Sequence, residues 1–212
     1  MEKLYNTRIE YYGKSLDEND LPKNPFDLFS RFFEIVRKEN FLTPNAMVLS
    51  TVNNNIPSSR IVLLKDFSEN EFTFFSGKGS RKEIEFSKNP NVSLLFYWDK
   101  LFLQIRIIGR VRESKNSFAE KYFATRPRES KIAARVSVQS KTIPNRDFLE
   151  NRFKEESGKF KNKEIPKPEH WKGYSVVPFE FEFWMGRDRR LHDRIVYVKN
   201  KFQDWEIRRL SP

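Results

Sequence analysis

The segment FEFWMGRDRRLHDRIVYV, residues 181–198, begins with side chains that could contact a planar molecule. Side chains alternate between the two faces of a strand, so Phe181 and Phe183 are predicted on one face and Glu182 and Trp184 on the other. An indole outside the core can lie against an aromatic ligand. Trp184 is therefore a candidate for binding a heterocycle.

The second half of this segment, RRLHDR, concentrates charge. Arg190, His192 and Arg194 lie on a common side if the chain is extended, or close together if it turns. Asp193 could balance their charge. These groups could orient a charged ring, and a structural ion-pair cluster is the alternative interpretation.

The segment SGKGSRKEIEF, residues 76–86, is a candidate phosphate site. A Gly-x-Gly turn leads into a short predicted helix that starts with Ser80, Arg81 and Lys82. Exposed backbone N–H groups, the positive end of the helix dipole and two cations favour a bound phosphate. The spacing matches neither a Walker A motif nor a dinucleotide fingerprint, and an ordinary glycine turn is the alternative.

A second phosphate site is suggested by KYFATRPRES, residues 121–130. Tyr122 and Arg126 are predicted on one helical face, and Ser130 follows after Pro127 ends the helix. A guanidinium and two hydroxyls could surround a phosphate group. A basic helix end on the surface explains the same residues equally well.

Two predicted strands add further candidates. Arg60 and Lys65 flank the apolar part of SSRIVLLKDF and could hold anions, although cations at strand ends are usually just solvated. In LFLQIRIIGRV, alternation puts Gln104 and Arg106 on the face opposite the apolar residues. Gln104 could hydrogen-bond to a heterocycle, or it could be an exposed strand residue.

The elements that position these residues can be predicted from patterning. KNPFDLFSRFFEIVRKEN predicts an amphipathic helix with Asn24 as its N-cap and Pro25 at its first position. A meander of antiparallel strands is predicted at 46–52, 59–65, 71–76, 92–98 and 101–113, helices within 114–160, and strands again to the end of the chain. Strands interrupted by a helical insertion favour a β-barrel or an α+β domain over a doubly wound sheet.

Composition limits the class of protein. The 212 residues suit one domain, predicted over residues 1–212, and no apolar run is long enough for a membrane span or a signal peptide, so we expect a soluble cytoplasmic protein. With no cysteine and two histidines, we expect no metal site. A net charge of +11 attracts phosphorylated molecules, nucleic acid or anionic membranes, or reflects a lysine-rich solvated surface.

These residues resemble the pyridoxamine 5'-phosphate oxidase family. The family's C-terminal signature is an acidic residue, an aromatic, Trp, five residues and Arg-Leu-His-Asp-Arg, which matches residues 182–194 here. The resemblance extends over nearly the whole chain, in order, through RIVLLK at 60–65, GSRK at 79–82, KYFATRPRES at 121–130, VQS at 138–140 and the terminal RLSP. One departure is Met185, where the family pattern usually has glutamine.

The resemblance implies a mainly β fold with surface helices, an FMN-binding split β-barrel that forms a homodimer with FMN at the subunit interface. It implies oxidation of pyridoxamine or pyridoxine 5'-phosphate to pyridoxal 5'-phosphate, with O2 reduced to H2O2. By family analogy FMN is bound by Arg60, Ile61, Val62, Leu63, Leu64, Lys65, Phe75, Ser76, Arg81, Lys82, Gln104, Gln139, Ser140, Trp184 and Arg194.

The same analogy implies the substrate contacts. Substrate phosphate is expected at Lys65, Tyr122, Arg126 and Ser130, and the pyridine ring at Arg190 and His192, which are the predicted catalytic residues. Arg8 and Tyr11 resemble residues that fold over the occupied site in some members, so residues 1–20 are a candidate lid segment. We expect no nucleic-acid or membrane partner.

Two other functions remain open at this point. One is a flavin-binding split barrel with a different substrate, such as a flavin reductase, which would bind FMN without responding to pyridoxamine phosphate. The other is a nucleic-acid-binding protein, which requires a contiguous basic and aromatic face. Here lysine is spread throughout the chain and arginine clusters in two motifs, so the second alternative is less favoured.

Overall fold

The computed structural model describes residues 10–212, and Arg8 lies outside the described residues. The described helices are α1 (Pro25–Lys38), α2 (Arg81–Lys88), α3 (Asn116–Thr125), α4 (Arg128–Val136) and α5 (Arg146–Lys159). The described strands are β1 (Ala46–Asn53), β2 (Ile56–Leu63), β3 (Asp66–Phe67), β4 (Phe72–Gly77), β5 (Asn91–Trp98), β6 (Leu103–Glu113), β7 (Trp171–Met185), β8 (Asp193–Lys199) and β9 (Trp205–Arg209). The described residues therefore form a mainly β structure with surface helices, as the sequence predicts.

All nine strands belong to one antiparallel sheet, in which β2, β1, β5, β6, β7, β4 and β3 are neighbours in that order. The long strand β7 pairs with β6 along one edge. Along its other edge, residues 171–176 pair with β4 and residues 180–185 pair with β8, which continues to β9. The sheet divides at this point into two arms that diverge from one strand.

The predicted simple meander is wrong for β4. This strand pairs neither with β2 nor with β5, and it pairs with β7 instead, because α2 carries the chain across between β4 and β5. The short strand β3, which pairs with β4, was not predicted from the sequence. The consequence for function is that β4 and the start of β7 lie side by side.

Helix α1 begins as the sequence predicts. The Asn24 side chain accepts a hydrogen bond from Phe26 N at 3.1 Å, and Pro25 occupies the first turn. Phe29 is fully buried, with its ring centroid 4.8 Å from that of Phe72 and 5.2 Å from that of Phe96. The helix therefore covers the main apolar face of the sheet and leaves the opposite face for other contacts.

The alternation predicted for β7 is confirmed. Phe181 and Phe183 are fully buried in the core, whereas Trp184 is only half-buried on the other face. Glu182 shares the face of Trp184 but is itself 3% exposed, because arginine side chains cover it. The same alternation in β6 buries Ile105, Ile107 and Val111 and leaves Gln104 and Arg106 partly exposed.

The predicted helix carrying Tyr122 and Arg126 ends one residue earlier than expected. α3 ends at Thr125, and Arg126 has an extended backbone because it precedes Pro127. Ser130 lies in the first turn of α4. Tyr122 and Arg126 therefore do not share one helical face, although both reach the same cleft described below.

No helix between residues 10 and 212 is long and apolar enough to cross a membrane. The expected cytoplasmic location stays a prediction.

We expect Gly109→Ala to lower the free energy of unfolding by about 1–3 kcal/mol. Gly109 lies at a bulge between β6 and β7, where an added Cβ would lie 2.5 Å from the carbonyl oxygen of Val177. Urea unfolding of the cofactor-free protein, at one fixed protein concentration, measures the change in the free energy of unfolding. Gly158→Ala is the matched control, because its Cβ meets nothing within 4 Å and alanine favours a helix. Equal stability of the Gly109 variant and the parent would contradict this account of the bulge.

Candidate active site

A basic cleft of about 690 Å³ lies between β2, β4 and α3. It brings together many of the residues predicted for FMN and for the substrate phosphate. These are Ile61, Val62, Leu63, Lys65, Phe75, Lys82, Tyr122, Arg126, Ser130 and Gln139, and the cleft is also lined by Thr125, Pro127 and Trp171. Segments that are far apart in the sequence therefore meet in one concave surface, as a small-molecule site requires.

One wall of the basic cleft is a stack of parallel aromatic rings. The ring of Phe75 lies 4.5 Å from that of Tyr122 and 4.5 Å from that of Trp171, with interplanar angles of 8° and 4°. The Lys65 ammonium lies 5.7 Å from the Tyr122 ring centroid. Packing therefore fixes the Tyr122 ring, and with it the direction of the hydroxyl that the sequence assigns to a phosphate.

Three cations in the basic cleft have no carboxylate partner among residues 10–212. They are Lys65, Lys82 and Arg126, none of which forms an ion pair there. The Arg126 Nη1 atom is buried and makes no hydrogen bond to the described residues. Because buried donors are normally satisfied, this arrangement fits anionic ligands such as phosphate groups.

Lys82 forms a small polar cradle with two neighbours. Its Nζ donates to Ser76 Oγ at 3.1 Å and to Gln139 Oε1 at 3.3 Å. Gly77 N also donates to Gln139 Oε1, at 3.0 Å. Burial, and secondarily the charge of Arg60, lower the pKa of Lys82. A bound anion would favour the charged ammonium and so raise this pKa again.

Arg60 and Arg81 are held by a buried carboxylate behind this cradle. Glu85 Oε2 accepts from Arg60 Nη2 at 2.7 Å, and Glu85 Oε1 accepts from Arg81 Nε at 2.8 Å. Thr51 Oγ1 donates to the same carboxylate at 2.6 Å. Burial by itself raises the pKa of Glu85, but these hydrogen bonds outweigh it and lower the pKa to about 2. Glu85 thus stays ionised and fixes both guanidinium groups.

Arg81 and Ser140 line a neighbouring cleft of about 400 Å³ beside the start of α2. Arg81 N donates to Ser140 Oγ at 3.1 Å, so this hydroxyl satisfies a backbone donor at the helix N-terminus. Leu64, also predicted to bind FMN, is 3% exposed and belongs to the core. The structure therefore brings most of the predicted FMN residues to one side of the molecule, although not all into one cleft.

A second group of predicted residues, the His192 cluster, consists of Tyr11, Trp184, Arg190 and His192. The His192 ring lies 4.7 Å from Trp184 and 5.2 Å from Tyr11. The Arg190 guanidinium lies 5.3 Å from the Tyr11 ring centroid. Residues 188–190 form a tight turn in which Arg189 and Arg190 have positive φ angles, so the turned alternative for RRLHDR is the one observed.

His192 is held as a neutral hydrogen-bond donor. Its Nδ1 accepts from Arg187 N at 3.0 Å, which leaves the ring proton on Nε2. Burial, and then the neighbouring Arg190 charge, lower the pKa of His192 below its usual range. A neutral imidazole with its Nε2–H directed away from the turn can donate to a polar group of a bound ring.

Arg194 is oriented by a buried acid. Glu182 Oε1 accepts from Arg194 Nε at 2.8 Å, while Arg106 lies 2.5 Å from Glu182 Oε2. Gln104 pairs with Trp184 across β6 and β7, and Trp184 pairs with Arg194 across β7 and β8. The three residues predicted to contact the flavin therefore form one row across the sheet.

The expectation that Asp193 balances Arg190, His192 and Arg194 is wrong. Asp193 instead pairs with Arg209 at 2.6 Å and lies 3.8 Å from Arg187. It also accepts from Leu16 N at 3.1 Å, so it holds the N-terminal segment. The backbone turns at residues 188–190, and this sends the Asp193 side chain toward β9 rather than toward the cluster.

No residue of the His192 cluster lines the basic cleft, and neither Gln104 nor Arg194 does. The two groups of predicted residues therefore lie apart within one described chain. The two groups lie on different strands of the same sheet. The cleft residues 60–63 belong to β2, whereas Gln104 belongs to β6 and its cross-strand neighbour Trp184 to β7, and strands β1 and β5 lie between β2 and β6. The complete predicted set does not assemble in one protomer.

Arg187 explains part of the unusual charge of this turn. Its Nη1 donates to the carbonyl of Gly13 at 2.8 Å, and Gly13 N donates to Gly186 O at 2.9 Å. An added Cβ on Gly13 would lie 2.5 Å from Gly186 O, so the two backbones need this glycine to approach. Met185 is buried at 2% exposure and packs against Gly13, which accounts for an apolar residue there. Nothing in the structure explains the exposed Arg189.

We expect Arg187→Ala to loosen residues 11–16 without unfolding the protein. Losing one hydrogen bond of about 1 kcal/mol should speed exchange of the Gly13 amide roughly fivefold. Hydrogen exchange read by NMR or mass spectrometry measures the change. Arg189→Ala is the matched control, because Arg189 is 86% exposed and only approaches Asp188, at 3.9 Å. Unchanged protection of Gly13 in the Arg187 variant would contradict the role of this contact.

Sequence reasoning missed two residues of the basic cleft and its surroundings. Trp171 was not assigned, because the sequence gives no sign that the start of β7 lies beside Phe75 of β4. Glu85 was not assigned either, although an acid four residues after Arg81 on a helix is a recognisable pairing signal. Trp171 could not be predicted, because its position depends on long-range strand pairing, whereas Glu85 could have been predicted from its spacing to Arg81.

The fold and the site together define a mainly β split barrel of the FMN-binding class. A sequence family described as pyridoxamine 5'-phosphate oxidase matches residues 36–160, and one described as the pyridoxine 5'-phosphate oxidase C-terminal dimerisation region matches residues 171–212. The solved structure of PhzG from Burkholderia lata 383, in complex with tetrahydrophenazine-1-carboxylic acid, is 26% identical with a TM-score of 0.88 and covers 94% of this chain and 99% of that one.

Curated relatives extend this similarity to the full length. A pyridoxine/pyridoxamine 5'-phosphate oxidase of Trichormus variabilis is 44% identical over 99% of this chain and 98% of its own. One of Leptospira interrogans is 42% identical over 99% of both. A pyridoxamine 5'-phosphate oxidase-related, FMN-binding protein of Nostoc punctiforme has a TM-score of 0.72 at 15% identity, covers 94% of this chain and 100% of that one, and supports the fold alone.

The chain belongs to the pyridoxamine 5'-phosphate oxidase family. This confirms the predicted family and fold class, and it confirms that the chain is an oxidoreductase. The individual residue assignments stay predictions.

Proposed function

We propose that this protein oxidises pyridoxamine 5'-phosphate or pyridoxine 5'-phosphate to pyridoxal 5'-phosphate, with O2 reduced to H2O2. The observation that carries the proposal is the basic cleft, where Lys65, Lys82 and Arg126 have no carboxylate partner among the described residues. Unneutralised cations beside stacked aromatic rings suit a phosphorylated flavin and a phosphorylated pyridine. Family membership supports the same substrate class.

The complete site is proposed to lie between two copies of the chain. The basic cleft and the His192 cluster lie apart in one protomer, although family analogy requires both at one flavin. Ile61 at the basic cleft and Tyr97 beside Gln104 are 69% and 57% exposed on the same sheet face, which suits coverage by a partner. The match of residues 171–212 to a dimerisation region supports a homodimer. Each site would then combine the cleft of one protomer with the cluster of its partner.

FMN is proposed to place its phosphate near the Lys82 cradle. Ser76 and Gln139 hold the ammonium from behind, and Glu85 fixes Arg60 and Arg81 in the same region. The β2 strand residues 61–63 would border the isoalloxazine ring, whose other contacts would be Gln104, Trp184 and Arg194. Among the described residues this donor set suits a dianionic phosphate better than a neutral ligand.

The substrate phosphate is proposed to bind Lys65, Tyr122, Arg126 and Ser130. Its pyridine ring would contact Arg190 and the Nε2–H of His192. Tyr11, which packs on His192 and under Arg190, would cover the ring as part of the N-terminal lid. Arg8, the other expected lid residue, lies outside the described residues.

When bound, FMN would supply the redox chemistry, as the acceptor of a hydride from C4' of the substrate and the donor of electrons to O2. The protein's own groups position the reactants. Arg190 and His192 would orient the pyridine ring for oxidation at C4' and would stabilise charge that develops on it. Because Nδ1 of His192 already accepts from Arg187 N and the ring proton lies on Nε2, the role of His192 would be hydrogen-bond donation rather than general-base catalysis.

The absorption spectrum of the purified protein tests the proposal. Under anaerobic conditions, pyridoxine 5'-phosphate is expected to bleach the bound flavin, and admitting air should restore it and release H2O2. A flavin that stays oxidised would refute the substrate class and favour the alternative of another substrate on the same barrel. A colourless protein that FMN cannot reconstitute would refute the cofactor as well.

A further inference from the structure

Trp171, which no sequence motif assigns, lies directly behind the cation of the substrate-phosphate site. It is the first residue of β7 and is 7% exposed. Its ring stacks on Phe75 at 4.5 Å and meets the edge of Phe123 at 5.3 Å. The Arg126 guanidinium carbon lies 5.0 Å from the Trp171 ring centroid and 5.7 Å from that of Phe123.

Arg126 is held differently from three other half-buried arginines. Arg60, Arg135 and Arg194 each donate to a glutamate, at 2.7, 2.7 and 2.8 Å. Arg126 has no such partner among the described residues and rests on two aromatic rings. A carboxylate would hold a guanidinium by neutralising it and occupying its donors. An aromatic face attracts the cation through its quadrupole and leaves its charge and its N–H groups available.

The position of Arg126 in the chain makes such support necessary. It follows the end of α3, and its backbone is extended before Pro127, so no helix restrains its side chain. A flexible arginine would lose conformational freedom on gripping a phosphate, and that loss weakens binding. Trp171 is itself fixed by the Phe75 and Phe123 rings and by pairing of β7 with β4. The support is therefore rigid.

We infer that Trp171 is a positioning residue for the substrate phosphate, holding Arg126 by a cation–π contact in place of a carboxylate. The inference rests on the proposed function for the identity of the substrate, but binding of a phosphate group at Arg126 can be measured separately. The competing interpretation is that Trp171 only fills the small core formed with Ala119 and Phe123.

Fluorinated tryptophans at position 171 separate the two interpretations. Adding fluorine withdraws charge from the ring face while changing its shape little, so it weakens cation–π attraction and leaves packing nearly intact. The protein is used with FMN bound, so that the flavin phosphate site is filled. Calorimetry measures the affinity for inorganic phosphate, and the Arg126→Met variant gives the part of binding that does not depend on Arg126.

We expect the Arg126-dependent affinity for inorganic phosphate to fall stepwise with fluorination, by about fivefold to tenfold at full substitution. The KM for the phosphorylated substrate should rise in step while kcat stays nearly constant. Trp205 of β9 is the matched control, because its ring centroid lies 5.2 Å from the Lys199 ammonium and it does not line the basic cleft. Fluorination of Trp205 should change neither the phosphate affinity nor the KM. The flavin-to-protein ratio and thermal midpoint should stay at parent values in both series.

Phosphate affinity that is unchanged across the series at Trp171 would overturn the inference, as would a parent protein with no Arg126-dependent phosphate binding. Failure of the proposed function looks different. If the vitamer phosphates do not bleach the flavin but phosphate affinity still follows fluorination, the substrate assignment is wrong and the role of Trp171 stands. If the vitamers are oxidised and affinity ignores fluorination, only the inference fails.

Discussion

Replacing Arg126 with methionine is expected to raise the KM for pyridoxamine 5'-phosphate about 100-fold while FMN stays bound. Arg126 of the basic cleft has a buried donor that makes no hydrogen bond to residues 10–212, and its guanidinium can bind a phosphate with two hydrogen bonds. Hydrogen bonds between charged groups contribute up to about 3 kcal/mol, and 100-fold corresponds to about 2.7 kcal/mol. The methionine keeps much of the apolar contact with Trp171, so the cleft should keep its shape.

The effect should fall on KM rather than on kcat. The phosphate group does not change during oxidation at C4', so Arg126 binds the ground state and the transition state equally, and uniform binding energy appears in KM. Steady-state kinetics and the flavin-to-protein ratio measure both quantities. Arg146→Met is the control, because it removes the same charge from an 87% exposed helix position. A KM within threefold of the parent would place the phosphate elsewhere.

Local signals in the sequence were sufficient for most of the elements and for the two faces of strands β6 and β7. Asn24 and Pro25 start α1 as predicted, and alternation correctly separates Phe181 and Phe183 from Trp184. These features depend on neighbours a few residues apart, where spacing alone determines geometry. Most of the cleft residues came from the family resemblance, because nothing local connects Lys65 with Tyr122.

Other features depend on pairings that no local pattern specifies. The partner of β4 is β7, about 100 residues later in the chain, and only that pairing brings Trp171 to Phe75. The sequence shows which of residues 187–194 are charged, but it does not show their ion-pair partners. Asp193, for example, pairs with Arg209 of the last strand. Long-range register decides which carboxylate neutralises which arginine, and this decides which cations stay available for a ligand.

Replacing Arg190 with methionine is expected to lower kcat/KM for the phosphorylated substrate more than tenfold, a loss of over about 1.4 kcal/mol in transition-state stabilisation. Arg190 lies outside the basic cleft and packs on Tyr11, so neither the flavin nor the substrate phosphate should lose a contact within that cleft. The loss should therefore appear in the rate of flavin bleaching under anaerobic stopped-flow conditions, with the flavin-to-protein ratio unchanged.

Arg189→Met is the sharpest control for this effect, because the two arginines are adjacent and both have positive φ angles, 54° and 63°. Arg189 is 86% exposed and only approaches Asp188, so its loss should leave flavin reduction unchanged. If the Arg190 variant reduced its flavin as fast as the parent, ring positioning by this turn would be refuted. His192 would then have to orient the pyridine alone, and since Arg187 N already fixes its Nδ1, only its Nε2–H could do so.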